Sequence, residues 1–338
     1  MTSQYSEDNL IEQTAIDLFK VQLGWQVELA FNAETFGEGS MLGRQNKTEV
    51  LLKKILLDKL KEFNPNLPPK AYEDAFSQLS EASVTKSLGD INFEKYQMLR
   101  NGIQIDYINQ KGEQVKNKTL RVFDFENPEA NSFLAVRQLW IQGRAGQLNR
   151  PDIIGFVNGI PLLFIEFKSP KVSVRDAYEK NLSDYKDEIS QLFLYNAFII
   201  LSNGIESRIG SVTGKYQHFH EWKRITEDDE GIVALDRIIL GVCDKKRFLD
   251  LFENFILFDT SLGKAVKLIA RNHQFIGVNK AIENIQHKNN LYQLGKISLE
   301  EKQKLGVFWH TQGSGKSYSM VFFCQKIHRK FTGSYTFL

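Results

Sequence analysis

Apolar residues recur every three or four positions at several places along the chain, and each recurrence predicts a helix. In EDNLIEQTAIDLFKVQL (residues 7–23), Leu10, Ile11, Ala15, Leu18, Phe19 and Val21 fall at helical spacing, with Gly24 as the stop. Residues 46–63 predict a second helix. Its lysines Lys53, Lys54, Lys59 and Lys61 read more simply as a solvated face than as a DNA-binding patch. In residues 172–192 the spacing of Val174, Tyr178, Leu182, Tyr185, Ile189 and Leu192 predicts a third. Runs rich in β-branched and aromatic residues predict strands over 103–108, 119–125, 133–140 and 197–204. A hairpin, RPDIIGFVNGIPLLFIEFKSP, occupies 150–170.

Beyond 197–204 the pattern turns polar and acidic over 224–231, then predicts a helix over 245–258. A second unit begins near Gly263. It is expected to hold a helix over 274–285, a strand over 304–310, a glycine-rich loop over 311–317, another helix and a last segment, SYTFL. Strands, long helix and strand in that order predict a mixed α/β domain over 1–225. A connection over 226–262 and the second unit over 263–338 complete the chain. There are no internal repeats or low-complexity tracts.

Composition narrows this little. The 338 residues suffice for two domains, and 42% hydrophobic with 25% charged residues is ordinary for a globular protein. Cys243 and Cys324 form no CxxC pair, so neither a disulfide framework nor a zinc ribbon is suggested. The first residues lack the features of a signal peptide and no apolar run spans a bilayer, so the expected location is the cytoplasm, without membrane contact. The 43 basic and 41 acidic residues nearly cancel, so any DNA contact must be local or shared with partners.

The hairpin places Asp152, Glu166 and Lys168 among apolar neighbours. Strand periodicity puts Glu166 and Lys168 on one face. Asn158 and Gly159 mark the turn, but a strict two-residue turn pairs 157 with 160 and leaves Asp152 and Glu166 on opposite faces. A three-residue turn or one bulge is therefore expected, because it brings both acids to the same side. Two such carboxylates can hold a hard divalent cation such as Mg²⁺, which needs few protein oxygens and leaves room for water and phosphate. The metal would activate water and stabilise charge on a phosphodiester, with Lys168 beside it orienting the water.

Asp152 with Glu166-x-Lys168 resembles the PD-(D/E)xK nuclease motif, whose fold is a mixed sheet flanked by helices. The RecB-like branch adds Q-x-x-x-Y on the next helix. Here Tyr185 matches the tyrosine and Asn181 stands in place of the glutamine. The resemblance also implies an acid on the first helix completing the metal site, for which Glu7 is the best match and Glu12 the second.

HTQGSGKS, His310–Ser317, meets the Walker A pattern except that His310 replaces its first glycine. Backbone N–H groups from Gly313, Ser314, Gly315 and Lys316 can cradle phosphates, the Lys316 side chain can reach the β and γ groups, and Ser317 can ligate Mg²⁺; Thr311 completes the loop. Arg271 and Gln274 resemble the R-x-x-Q element with which superfamily 2 helicase motors read adenine. A Walker B carboxylate and second lobe do not follow, so the chain is expected to be an amino-terminal piece of a RecA-like P-loop motor, with no ATP hydrolysis of its own.

A nuclease followed by FWHTQGSGKS closely resembles, over essentially the whole chain, the restriction (motor) subunit of type I restriction-modification enzymes. The resemblance implies ATP-dependent translocation and endonucleolytic cleavage of double-stranded DNA, in complex with specificity and modification (methyltransferase) subunits. The alternative is a non-catalytic assembly module docking the motor to DNA and partners. Retention of Asp152, Glu166 and Lys168 favours the nuclease, and Asn181 is the one feature favouring the module. His218, His220 and Glu221 in HFHEW are read as polar side chains on the surface with no metal to hold, and Trp140 and Trp222 as core or edge aromatics.

Overall fold

The computed structural model describes residues 2–336 apart from 32, 110, 227–232 and 334, and of residues 2–9 the backbone alone. Part of the expected acidic connection and of the final SYTFL segment thus lies outside the described residues.

The chain opens with α1 (Thr2–Asp17), which passes into a π turn (Leu18–Gln22), and then β1 (Gln26–Leu29). Helices α2 (Lys53–Phe63), α3 (Pro69–Ser80) and α4 (Leu88–Asn101) precede a hairpin of β2 (Ile103–Ile108) and β3 (Gln114–Leu120). Next come β4 (Phe133–Arg137), the short pair β5 (Ile141–Gln142) and β6 (Leu148–Asn149), then β7 (Ile153–Val157) and β8 (Ile160–Phe167). A helical stretch follows, built from α5 (Val174–Asp176), a second π turn (Ala177–Leu182) and α6 (Ser183–Glu188). It leads to β9 (Phe198–Ser202) and β10 (Ser207–Gly210). Helices α7 (Ala234–Cys243) and α8 (Lys245–Asn254), the hairpin β11 (Ile256–Asp259) and β12 (Val266–Ile269), and helices α9 (Asn272–Gln293), α10 (Leu299–Gln303) and α11 (Lys316–Lys330) complete it.

The expected mixed α/β architecture is present. Six strands form one sheet in the order β1-β4-β7-β8-β9-β10. Pairs β1–β4 and β8–β9 are parallel, and β4–β7, β7–β8 and β9–β10 antiparallel. Both faces are covered. On one, the Trp25 ring packs within 5.0 Å of Phe19, 4.9 Å of Phe133 and 5.7 Å of Phe248, and its indole N–H donates to Cys243 O. On the other, Phe164 meets Tyr185 and Phe193 from the helical stretch that follows β8. All residues of the central strands β7 and β8 are accordingly buried.

The β7–β8 turn is tight. Asn158 and Gly159 both take positive φ, 51° and 79°, as a type I′ turn requires. The Asn158 side chain is fully buried and satisfied: Oδ1 accepts from Ser132 N, while Nδ2 donates to Val122 O and Asn131 Oδ1. A Cβ on Gly159 would lie 2.6 Å from Leu52 O. Gly159→Ala is therefore expected to cost about 2–4 kcal/mol, from the left-handed backbone and the clash with a carbonyl that cannot yield. An unchanged thermal midpoint would show that the turn can rearrange.

Several elements depart from the sequence expectation. The helix expected over 46–63 begins only at Lys53, because Leu52 N–H donates to Gly159 O and holds residues 51–52 against the hairpin. The strand expected over 119–125 lies at Gln114–Leu120, since Arg121 exchanges both backbone groups with the Asn64 side chain. That expected over 133–140 stops at Arg137, where Gln138 turns left-handed at φ 55°. The helix expected over 245–258 ends at Asn254, and the rest becomes β11 paired with β12. The helix expected over 274–285 is longer, Asn272–Gln293. Residues 304–310 are no strand: among the described residues no strand lies beside them, and Val307 and Trp309 stay 93% and 77% exposed. Helices α3, α4 and α7 were not foreseen, although Pro69 at a helix start and Ser87 as an N-cap mark the first two.

Candidate active site

The offset that the two acids require comes from a bulge. Val157 faces Ile160 and Phe156 faces Pro161, but Gly155 faces Leu163 and Ile153 faces Ile165. Leu162 is the extra residue, and continuing the register by one position sets Asp152 opposite Glu166. The cause is local. Pro161 lacks an N–H to give to a central ladder, so a bulge beside it removes the mismatch. The Leu162 carbonyl is not lost, for Ala197 N–H donates to it. This proline was the sequence signal for where the offset falls.

Glu166 lies in β8 and is 3% exposed. Its Oε1 accepts from Asn181 Nδ2 at 2.7 Å and lies 3.7 Å from Lys168 Nζ. Its Oε2 is buried without a hydrogen-bond partner. Asp152 Oδ2 accepts from Phe167 N–H at 2.6 Å, while Asp152 O accepts from Gln138 N–H. Burial, then the charge of Glu12, pushes the Asp152 carboxyl up to about 7. Burial and the charge of Asp152 hold Glu166 well above the ordinary carboxylate range. Two desolvated acids side by side, one with an orphaned oxygen, make a site that a cation would relieve.

Asn181 sits in the π turn Ala177–Leu182, and π turns are frequent where a side chain must be aimed at a site. Tyr185, one turn on, packs edge-on against Phe164 at 5.8 Å. Its phenol is pushed upward by burial and by the charges of Glu166 and Asp152. Glu7 lies on α1, but its side chain is outside the described residues. Glu12, the second candidate, is 5% exposed, and its charge bears on both acids. Its Oε2 accepts from Arg137 Nε at 2.7 Å and Gln138 Nε2 at 2.8 Å. Sequence reasoning missed these two partners, and nothing local signals a pairing across 125 residues.

Among the described residues no three His, Cys, Asp or Glu side chains group as a metal site. A cation here would rest on Asp152 and Glu166 and complete its shell with water and phosphate, a habit of Mg²⁺ more than of Zn²⁺.

The glycine-rich loop leads from His310 into α11. Gly313 and Gly315 take φ of 78° and 85°, and Lys316, the first residue of the helix, donates from Nζ to His310 O at 3.1 Å. Thr311 and Ser314 lie in the loop, and Ser317 in the first turn of α11. Gln274 is 3% exposed and has both ends of its amide engaged: Oε1 accepts from Arg271 N–H and Nε2 donates to Gly315 O at 3.0 Å. His273 Nε2 lies 2.9 Å from Ser314 O. The start of α9 therefore grips the loop directly, and a Cβ on Gly315 would strike Gln274 at 2.7 Å.

No helix among the described residues is long and apolar enough to cross a membrane. Residues 4–218 match the family described as type I restriction enzyme R protein N terminus, and residues 273–337 match the SWI2/SNF2 ATPase family. The chain is 35% identical to the type I restriction enzyme HindI endonuclease subunit of Haemophilus influenzae, over 95% of this chain and 30% of that protein. It is 29% identical to a putative type I restriction enzyme MjaIXP endonuclease subunit of Methanocaldococcus jannaschii, over 96% of this chain and 32% of that one. A Staphylococcus saprophyticus relative, the type I restriction enzyme SsaAORF53P endonuclease subunit, is 25% identical over 71% of this chain. The chain spans about a third of the length of the first two relatives. With more than half of its residues covered by the first match, the chain belongs to the type I restriction enzyme R protein N-terminal family.

Proposed function

We propose that this chain carries the endonuclease site of a type I restriction enzyme, cleaving double-stranded DNA with Mg²⁺. The observation that carries the reading is the bulge at Leu162, which costs a ladder position in a central strand and serves to set Asp152 opposite Glu166 beside Lys168. Asp152 and Glu166 would hold the ion, whose orphaned neighbour Glu166 Oε2 is the buried oxygen in need of a partner. When bound, Mg²⁺ would supply positive charge against the negative charge that develops on the phosphodiester and would acidify water.

The remaining work falls to the chain. Asn181 holds Glu166 Oε1 in place, and Lys168, half-buried beside it, is positioned to orient the attacking water and contact the scissile phosphate. Tyr185, packed edge-on against Phe164 and hydrogen-bonded to Asn181, would help hold that amide on Glu166. The asparagine at 181, the one feature favouring a docking module, reaches the acid at 2.7 Å, so the shorter side chain is compatible with the nuclease role.

Within the longer protein we assign residues 1–225 to the endonuclease, 226–262 to a connection and 263–338 to the start of a RecA-like motor. The β11–β12 hairpin bridges the last two. ATP would bind at Thr311, Gly313, Ser314, Gly315, Lys316 and Ser317, with Arg271 and Gln274 behind the loop, and drive translocation by the full-length chain. The partners would be DNA and the specificity and modification subunits, in the cytoplasm.

Calorimetric titration of Mg²⁺ into the chain tests the site. Binding is expected to be lost in Asp152→Ala and in Glu166→Ala with the fold intact. It should also tighten as pH rises through 7, since the ion displaces the proton that burial retains on the pair. Binding that survives both substitutions would sink the assignment.

A further inference from the structure

Arg150, which opens the Arg-Pro-Asp sequence, has no part in the site so far. It lies two residues before Asp152, in the segment that leads into β7. Its guanidinium carbon sits 4.2 Å from the centroid of Phe31 and 5.2 Å from that of Trp140. Those two rings are themselves stacked, 6.3 Å apart with 24° between planes. Trp140 is locked in place. Its indole N–H donates to Phe31 O at 3.1 Å, and its carbonyl accepts from the buried Arg44 at 2.9 Å. Lys47 Nζ approaches the same indole at 5.8 Å.

Among the described residues no carboxylate pairs with Arg150. With its guanidinium held against two rings and no carboxylate taking its N–H donors, Arg150 keeps a fork of donors that matches the oxygens of a phosphate. Arg150 is also near enough for its charge to act on both Asp152 and Tyr185. An arginine there would attract an anion arriving at the acids.

We propose that Arg150, held on the Phe31–Trp140 platform with Lys47 beside it, binds a backbone phosphate of the DNA next to the scissile one and fixes the register of the duplex over Asp152 and Glu166. This rests on the nuclease reading. It also answers how a nearly neutral chain grips DNA: with a few preorganised cations around the site instead of a broad basic face.

The experiment is fluorescence anisotropy with a short labelled duplex and no divalent metal, on the wild-type chain, Arg150→Ala, Arg150→Lys and Asp152→Asn, each repeated across a salt series. Arg150→Ala is expected to weaken binding about tenfold and to lower the slope of log affinity against log salt by about one. Arg150→Lys should keep the slope and recover part of the affinity, which a purely structural role for the stack would not produce. Asp152→Asn, which takes a negative charge from the surface the phosphates approach, is expected to bind more tightly than wild type while keeping Arg150 in place. Arg150→Ala binding with wild-type affinity and slope overturns the proposal, and so does a wild-type chain that binds no duplex. Cleavage of the same duplex after Mg²⁺ is added separates the two readings. Cleavage that needs Asp152 while Arg150→Ala binds normally defeats this inference alone. Cleavage that persists in Asp152→Asn defeats the nuclease site and leaves a binding defect in Arg150→Ala standing.

Discussion

Glu166→Gln is expected to cut DNA cleavage by about a thousandfold or more, and at the same time to make the protein more stable at neutral and alkaline pH. The two effects share one cause. Glu166 is buried and Asp152 half-buried, and each carboxylate is driven upward by desolvation and then by neighbouring negative charge. A carboxyl whose folded value is raised favours folding most at pH below its unfolded value, and that contribution is lost as pH rises through the folded one. For Asp152 the window runs from the ordinary 3.8 to about 7. Wild-type stability should thus decline across that interval without metal, by on the order of 2–4 kcal/mol for Asp152 at 1.36 kcal/mol per unit. Asp152→Asn should flatten the decline, and Mg²⁺ should remove most of it by taking the place of the proton. Asn181→Ala, which removes the donor to Glu166 Oε1, is expected to cost a smaller factor of about 10–100 in cleavage. Urea titrations at a series of pH values, with and without Mg²⁺, check the linkage. A wild-type curve that is flat from pH 4 to 7 would mean that the acids are not desolvated as described.

The largest loss of stability from a single substitution outside the acids is expected at Arg44. This side chain is 1% exposed, one of the largest fully buried in the protein. It forms a two-point pair with Glu34, Nε to Oε1 at 2.7 Å and Nη2 to Oε2 at 2.6 Å. Its remaining donors go to Glu49 O and Trp140 O, at 2.8 and 2.9 Å. Arg44→Ala strands the Glu34 carboxylate, whose side chain is 4% exposed, and should cost about 3–5 kcal/mol. The pair need not be stabilising for this to hold. Replacing both partners with apolar residues, Arg44→Met with Glu34→Leu, should recover most of the loss, because the charge and its unmet demand leave together. Chemical denaturation with an unchanged m-value measures both. A loss below about 1 kcal/mol for Arg44→Ala would show that water reaches Glu34. Since Arg44 also fixes the Trp140 carbonyl, this variant should loosen the platform under Arg150.

Much of this protein can be read along the chain because the relevant physics is local. The alternation that sets Glu166 and Lys168 on one face, the Asn158–Gly159 turn and the glycines of the phosphate loop each depend on a few adjacent residues, and each is found where the pattern puts it. Even the need for an offset between Asp152 and Glu166 follows from strand parity alone. Pro161 signals where it falls, but the partner that makes the bulge at Leu162 tolerable is not legible: Ala197, just before β9, takes up the stranded carbonyl.

What the sequence could not show are the properties that arise when distant segments share a volume. Arg137 and Gln138 claiming Glu12, Arg44 buried under Trp140, and Arg150 lying across Phe31 join residues far apart in number, and no periodicity records such pairs. The expected strand over 304–310 is the converse case. Its apolar residues satisfy the local pattern, yet among the described residues no neighbouring strand takes up its hydrogen bonds, and it remains extended coil. The sequence by itself determined the chemistry on offer, two acids, a lysine and a glycine-rich loop. Only the tertiary structure decided which acids share a face and lose their water, because desolvation and charge coupling depend on distance in space and not along the chain.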